Sequence, residues 1–460
     1  MADFSNYMSP GRKGYLIGIG GVSMSSLAEV LLGMGLSISG SDSTRSGNVL
    51  ALEEKGIPVN LGHHAENITG EIDFVVRTAA VRDQNPEIVR ARELNIPVFE
   101  RTEAWGAISK DYSNALCISG THGKTTTTSM CTHILMAAEK DPTVMIGGTL
   151  PLLNAGHRVG HGNVIVMEAC EYYNSFLSFH PTVAVILNIE ADHLDFFKDL
   201  SDVEKSFRRF AERVPKDGYV VANYDDSNTM RTLLGLDRKI ITFGLDPRAD
   251  VHAENIEYIG ANSRFDIVYN GKRFTNVTLH VPGEHNIKNA LAATAAVICL
   301  GIRPNAVKYG LAGFSGAGRR FEFKGKYNGA DIYDDYAHHP GELKCLLDTV
   351  EKLNYRRTVL VFQPHTYSRT AALFRDFVQQ LRRPDLVFLA EIFAAREQNT
   401  IGISSAALAD EIEGASFIPT FEELEAVLRE TAEPGDIILT VGAGDVYKIG
   451  EHLTEEKTPC

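Results

Sequence analysis

Cys117-Ile118-Ser119-Gly120-Thr121-His122-Gly123-Lys124-Thr125-Thr126-Thr127-Thr128 passes from an apolar run through a glycine turn into a stretch crowded with hydroxyls. The pattern predicts a buried strand, a tight turn and the start of a helix, the phosphate-cradling unit of an α/β sheet. Backbone N–H groups around Gly120 to Gly123 and the positive end of the helix can surround a polyphosphate. Lys124 adds a point charge, and Thr125 a hydroxyl suited to Mg2+. Thr121, His122 and Thr126 complete the candidate ATP loop. The common loop has four residues between its glycines, whereas only Thr121 and His122 separate Gly120 from Gly123. An ordinary glycine turn before a threonine-rich helix is the alternative reading.

Outward from this loop, 460 residues are too many for one ordinary core, and about three domains are expected. A hydrophobic share of 44% and a charged share of 23% fit a globular protein without spanning segments. The N-terminus lacks the basic-then-apolar pattern of a secretion signal, so a cytoplasmic location is expected. A net charge of −14 argues against a general nucleic-acid surface, although glycine loops can still bind small anions. Six scattered cysteines, the last being Cys460, lack metal-site spacing and fit a reducing compartment.

Residues 1–107 begin with Tyr15-Leu-Ile-Gly18-Ile-Gly20-Gly21-Val-Ser23, a strand entering a helix over 25–34, followed by a second strand ending at Asp42. In this Rossmann-like βαβ unit Gly18 and Gly20 allow close backbone approach to a diphosphate and Asp42 lies where a ribose hydroxyl could be gripped, with a purely structural turn as the alternative reading. Ser23 stands where the dinucleotide fingerprint has its third glycine. Strand, helix and strand follow at 72–78, 86–94 and 96–100. His63 and His64 are adjacent loop histidines, with a diphosphate contact through His63 as the specific reading.

In residues 108–313, Asn163-Val-Ile-Val-Met-Glu168 is a strand closing on a carboxylate, a candidate metal ligand after Thr125. The strand 182–188 runs into Ile189-Glu-Ala-Asp192-His193-Leu-Asp195, a second polar cluster at the same sheet edge. Mg2+ prefers oxygen, so His193 is either a metal ligand or structural. Asn270-Gly271 between apolar runs predicts a small antiparallel hairpin. His285, Asn286 and Asn289 open an alanine-rich helix, where they either cap it or meet a ligand.

In residues 314–460, Gly316-Ala-Gly-Arg319-Arg320 reads as a linker carrying a phosphate-reaching arginine. Strands and helices then alternate as a third, Rossmann-like α/β domain. Two strand ends are unusually polar: Asp334-Asp335-Tyr336-Ala-His338-His339-Pro340 and Gln363-Pro-His365-Thr366-Tyr-Ser-Arg369. Arg369 can take a carboxylate bidentately.

The order of these motifs resembles the Mur ligases over essentially the whole chain, with folylpolyglutamate synthetases as more distant kin. The resemblance implies three domains: Rossmann-like, central ATP-binding parallel sheet with a small antiparallel insert, and C-terminal Rossmann-like. It implies cytoplasmic cell-wall (peptidoglycan) biosynthesis in which ATP drives L-alanine onto UDP-N-acetylmuramate through an acyl phosphate, by a monomer or dimer. Lys124, Glu168 and His193 are then the catalytic group, with Mg2+, or Mn2+ in its place, on Thr125, Glu168 and His193. Asn286 is implied to meet adenine, and His285, Asn289, Arg320 and Asp335 are further ATP contacts. The UDP end falls to Gly18, Gly20, Gly21, Ser23, Asp42 and His63, and the amino acid to Tyr336, His338, His365 and Arg369. Position 366 is threonine where many relatives have arginine, and Arg208 and Arg209 stand near where several relatives carry a carbamylated lysine. A ligase that recycles a preformed peptide, a nicotinamide oxidoreductase and a non-catalytic nucleotide-binding scaffold remain as rivals.

Overall fold

The computed structural model describes residues 3–78, 81–194, 196–395 and 397–455, so Asp195 and Cys460 lie outside the described residues. Its strands form three sheets in an α/β arrangement. The first has five parallel strands, in spatial order Val59–Leu61, Ser37–Asp42, Lys13–Ile17, Phe74–Arg77 and Val98–Glu100. Lys13–Ile17 is central because Leu16 and Ile17 are covered on both faces. The strand order reverses at its carboxyl end, which opens a crevice beside Gly18 to Gly21.

The second sheet has ten strands. Asn114–Ser119, the strand that feeds the phosphate loop, lies between Val164–Glu168 and Val183–Ile186, all three parallel. The strand ends at Glu168 and after Ile186 therefore emerge on either side of the loop. The helices Lys124–Ala137 and Glu284–Ile298 pack against each other beside this sheet. The expected hairpin is present, with Asn270 and Gly271 both at positive φ of 49° and 69°. It is not a separate insert: Asn262–Tyr269 and Lys272–Leu279 continue the same sheet through Val251–Ile259.

The third sheet has six strands, five of them parallel and edged by the antiparallel Glu322–Tyr327. Ala330–Asp335 and Arg357–Phe362 both pair with Asp436–Val441, so the loops after Asp335, Phe362 and Val441 share one edge. The arginine pair before this sheet divides its work. Arg319 donates to Asp334 at 2.9 Å and to the carbonyls of Gly442 and Gly444, locking the strand edges, whereas Arg320 faces a cavity.

The helix Arg101–Lys110 was not legible as a helix, since its apolar residues show no helical stripe. Trp105 buries its ring there, and the helix packs against the segment Tyr172–Ser178. Phe176 on that segment stacks on Phe210, with ring centroids 4.5 Å apart, and meets Phe207 edge-on. This aromatic cluster anchors the chain just after Glu171. Arg208, on the helix Leu200–Glu212, turns away to Glu212 and the carbonyls of Thr232 and Leu234. Phe176→Ala should cost about 3–5 kcal/mol by leaving a cavity, read as a lowered denaturant midpoint.

Candidate active site

Gly123 holds the N-cap of the helix Lys124–Ala137 at φ 84°, and a Cβ there would lie 2.7 Å from Asn289 Oδ1. The loop needs glycine for conformation and for space. Asn188 braces it, accepting from His122 N at 2.8 Å and donating to His122 O at 3.1 Å. Lys124 Nζ turns back to Gly120 O at 2.5 Å and Glu171 Oε2 at 3.0 Å. Thr125 Oγ1 donates to Glu168 Oε2 at 3.0 Å, and Gly147 N donates to the same oxygen. A hydroxyl and a carboxylate thus face each other at the loop's first helical turn, an oxygen pair that suits a hard cation.

Beside the loop lies a cavity of about 450 Å³ whose wall includes Thr126, His285, Asn286, Asn289, Arg320 and Asp335. The two asparagines are organised as well as positioned: Asn286 donates to Pro282 O, Asn289 donates to Asn286 Oδ1 and accepts from Thr127. Burial raises the Asp335 carboxyl to about 6, against Arg320 and two backbone donors from Phe321 and Ala337. Burial lowers the His285 ring to about 4.

From Lys124 a circuit of contacts runs through both sheets and returns. Glu171 Oε1 lies 3.8 Å from His193 Nε2, and His193 N donates to Asp192 Oδ1. Asp192 accepts from Arg369 Nη2 at 3.1 Å, and Arg369 Nη1 donates to His365 Nδ1 at 3.0 Å. The His365 and His338 rings are 5.6 Å apart, and His338 Nδ1 lies 3.3 Å from Glu342. Glu342 faces His122 at 3.4 Å, which rejoins the loop. Loop, metal-ligand candidates and amino-acid candidates are therefore linked through one chain of contacts.

Tyr336 is the T-shaped neighbour of His338, and the Arg319 and Arg320 guanidiniums lie over its ring. His193 sits at φ 54° stacked on Tyr172. Thr366 is at φ 65°, an uncommon place for a β-branched residue, fixed by its N–H to Phe393 O and by capping Arg369 N. Arg369 Nε and Nη2 both reach Asp192 Oδ1, so two donors of the expected carboxylate fork already meet a carboxylate.

The first sheet forms its own cluster. Asp42 Oδ2, expected to face a ribose hydroxyl, accepts from Gly20 N at 2.9 Å and so shapes the glycine turn. His63 Nδ1 lies 2.9 Å from the fully buried Glu87 and 3.0 Å from Ser41, which makes it more than an idle loop histidine. Ser23 falls in the first turn of the helix Val22–Gly33, whose N-cap is Gly21.

Asp192 lies in the strand-end cluster that the sequence marked, but Glu171 and Glu342, which also carry the circuit, were not singled out by composition or spacing. His122, Glu190 and His339 also group within 4.8 Å. Burial favours a neutral His122 ring, but Glu190 and Glu342 raise it to about 10, so both its nitrogens carry protons. His339 Nδ1 accepts from Gly341 N, which leaves the proton of the neutral ring on Nε2.

Fold and site together define a phosphate-binding α/β enzyme assembled from several sheets. Residues 14–113 match the family described as Mur ligase family, catalytic domain, 118–297 the Mur ligase middle domain, and 319–444 the Mur ligase, glutamate ligase domain. A UDP-N-acetylmuramate–L-alanine ligase of Clostridium novyi is 44% identical over 97% of this chain and 98% of its own length. One from Agathobacter rectalis is 47% identical over 96% and 97%. The solved UDP-N-acetylmuramate–alanine ligase of Thermotoga maritima superposes with a TM-score of 0.81 at 30% identity, covering 96% of this chain and 98% of that one. The chain belongs to the Mur ligase family and is an ATP-dependent ligase.

His122 carries its charge in the folded chain beyond the range where a free histidine loses it. Its contribution is complete below about pH 6.5 and vanishes as pH climbs through about 10. The thermal-midpoint gap between the wild type and His122→Gln should be widest at the acid end and close towards alkaline pH.

Proposed function

We propose that the chain joins L-alanine to the lactyl carboxylate of UDP-N-acetylmuramate, giving UDP-N-acetylmuramoyl-L-alanine, ADP and phosphate, a step of peptidoglycan synthesis in the cytoplasm. The observation that carries this reading is the closed circuit from Lys124 through Asp192 and Arg369 to His338 and Glu342. It links phosphate-handling and amine-handling groups through one chain of contacts, while the glycine turn at Gly18 to Gly21 stands ready for a nucleotide diphosphate. Two further observations favour it: no helix among the described residues is long and apolar enough to cross a membrane, and the full-length relatives carry this activity in their names.

A carboxylate is a poor electrophile. Moving the γ-phosphoryl group onto it makes an acyl phosphate, which the amine then attacks, so no side-chain nucleophile is required. Lys124 and the N–H groups of residues 120–123 bind and align the phosphates, and Asn286, Asn289, His285, Arg320 and Asp335 hold the rest of ATP. Mg2+, or Mn2+ in its place, would be held by Thr125 and Glu168, with His193 towards the substrate acid, and would supply charge neutralisation. Tyr336, His338, His365 and Arg369 receive alanine. Gly18, Gly20, Gly21, Ser23, Asp42 and His63 receive the UDP end. Residues 1–107, 108–313 and 314–460 divide the three substrates among them, in a monomer or a dimer.

Phosphate release with ATP, Mg2+ and UDP-N-acetylmuramate should require L-alanine among single amino acids. It should fall about 10²–10³-fold in Lys124→Ala, because the transferring charge loses its cation. Release that a tripeptide supports and L-alanine does not would replace this reading with peptide recycling.

A further inference from the structure

An amino acid's ammonium nitrogen sheds two protons on its way to an amide: one to water, which frees the lone pair that attacks, and a second as the carbon–nitrogen bond forms. The edge of the third sheet carries three histidines, and their hydrogen bonds decide which of them can take that proton. His365 Nδ1 accepts from Arg369 Nη1 at 3.0 Å. A guanidinium only donates, so the neutral His365 ring keeps its proton on Nε2 and presents a donor. His339 is in the same state, since Nδ1 accepts from Gly341 N. His338 is the reverse. Its Nδ1 lies 2.9 Å from Tyr336 O, which only accepts, so Nδ1 carries the proton and Nε2 is a bare lone pair.

The same Nδ1 faces Glu342 Oε2 at 3.3 Å. That carboxylate is fixed on its own account: Glu342 Oε2 accepts from His338 N at 2.9 Å and His339 N at 3.2 Å, closing the N-terminus of the helix Pro340–Val350. Carboxylate, imidazole and outward lone pair form the arrangement of an oriented general base.

Resting on the ligase reading above, we propose that His338 Nε2 accepts the proton of the incoming amine, with Tyr336 O holding the ring's tautomer and Glu342 balancing the imidazolium that forms. With the first ammonium proton already lost to water, the amine nitrogen bonds to the acyl carbon, its second proton passes to His338 Nε2, and the carbonyl carbon–oxygen bond to phosphate breaks with its electron pair leaving on phosphate. The charged groups facing His338 oppose one another. Burial and Arg369 favour the neutral ring, lowering it to about 4, while Glu342 and Asp192 favour the charged one. A neutral resting ring has its lone pair free at neutral pH. It need not be a strong base, because the nitrogen's proton becomes acidic as the new bond forms.

Hydroxylamine separates this role from a structural one. It attacks acyl phosphates and is a far weaker base than alanine's amine, so the proton on its adduct is acidic enough to leave to water without the ring. At saturating L-alanine, where a weakened alanine contact no longer counts, the ratio of L-alanine ligation to hydroxamate formation in His338→Gln should fall about 10²-fold. In Glu342→Gln, which also faces His122 and Arg320, the ratio should fall less while both rates drop. An unchanged ratio in His338→Gln, whether both rates fall together or neither falls, would overturn the base. A wild-type enzyme that ligates alanine yet forms no hydroxamate would remove the acyl phosphate, and with it both readings.

Discussion

A lysine ammonium is withdrawn from water at the head of the helix Lys124–Ala137, and much of the surrounding arrangement follows from having to answer that charge. Burying an unpaired ammonium costs several kcal/mol. The chain meets the cost with Glu171, itself almost wholly buried, and with the loop carbonyls of Gly120 and Thr121. Five residues on, Phe176 packs against Phe207 and Phe210 and anchors the segment that carries Glu171. A phosphate approaching Lys124 therefore competes with a carboxylate of the same chain, and gains only the difference between the two partners.

The contact between the second and third sheets obeys the same rule. It is held at the site by charged pairs, Asp192 with Arg369 and His122 with Glu342, and not by a greasy seam. Arg369 holds the Asp192 carboxyl well below the usual range, and Glu342 is held low by His338, His122 and Arg320 against its burial. Polar interfaces of this kind exchange partners at low net cost, whereas an apolar one would have to expose area to open. Hinge motion between the modules is thus compatible with tight burial of every charge when they meet.

How much of this the sequence disclosed depends on how local the cause was. The phosphate loop, the strand-end acid Glu168 and the Asn270-Gly271 turn are set by neighbours within a few residues, and each was legible. The shape of the glycine turn was only half legible, since Asp42 Oδ2 binds the turn's own Gly20 N–H. Arg369 and Asp192 stand 177 residues apart, and no pattern in either stretch announces the other. Glu171 and Glu342 were missed for related reasons. One follows a strand end by three residues with no period, and the other looks like an ordinary helix-capping acid, which it also is.

On the proposed reading, charge explains why the amino-acid side is built from histidines and not from lysines. A lysine among Arg369, Arg320 and the charged His122 would add a further cation and expel the ammonium it was meant to receive. A neutral imidazole adds none, and its two nitrogens can be assigned opposite jobs by what each one touches. His365 presents a proton because an arginine fills its acceptor; His338 presents a lone pair because a carbonyl fills its donor. The two rings lie 5.6 Å apart and so face a substrate with one donor and one acceptor, although they are the same residue type on the same sheet edge.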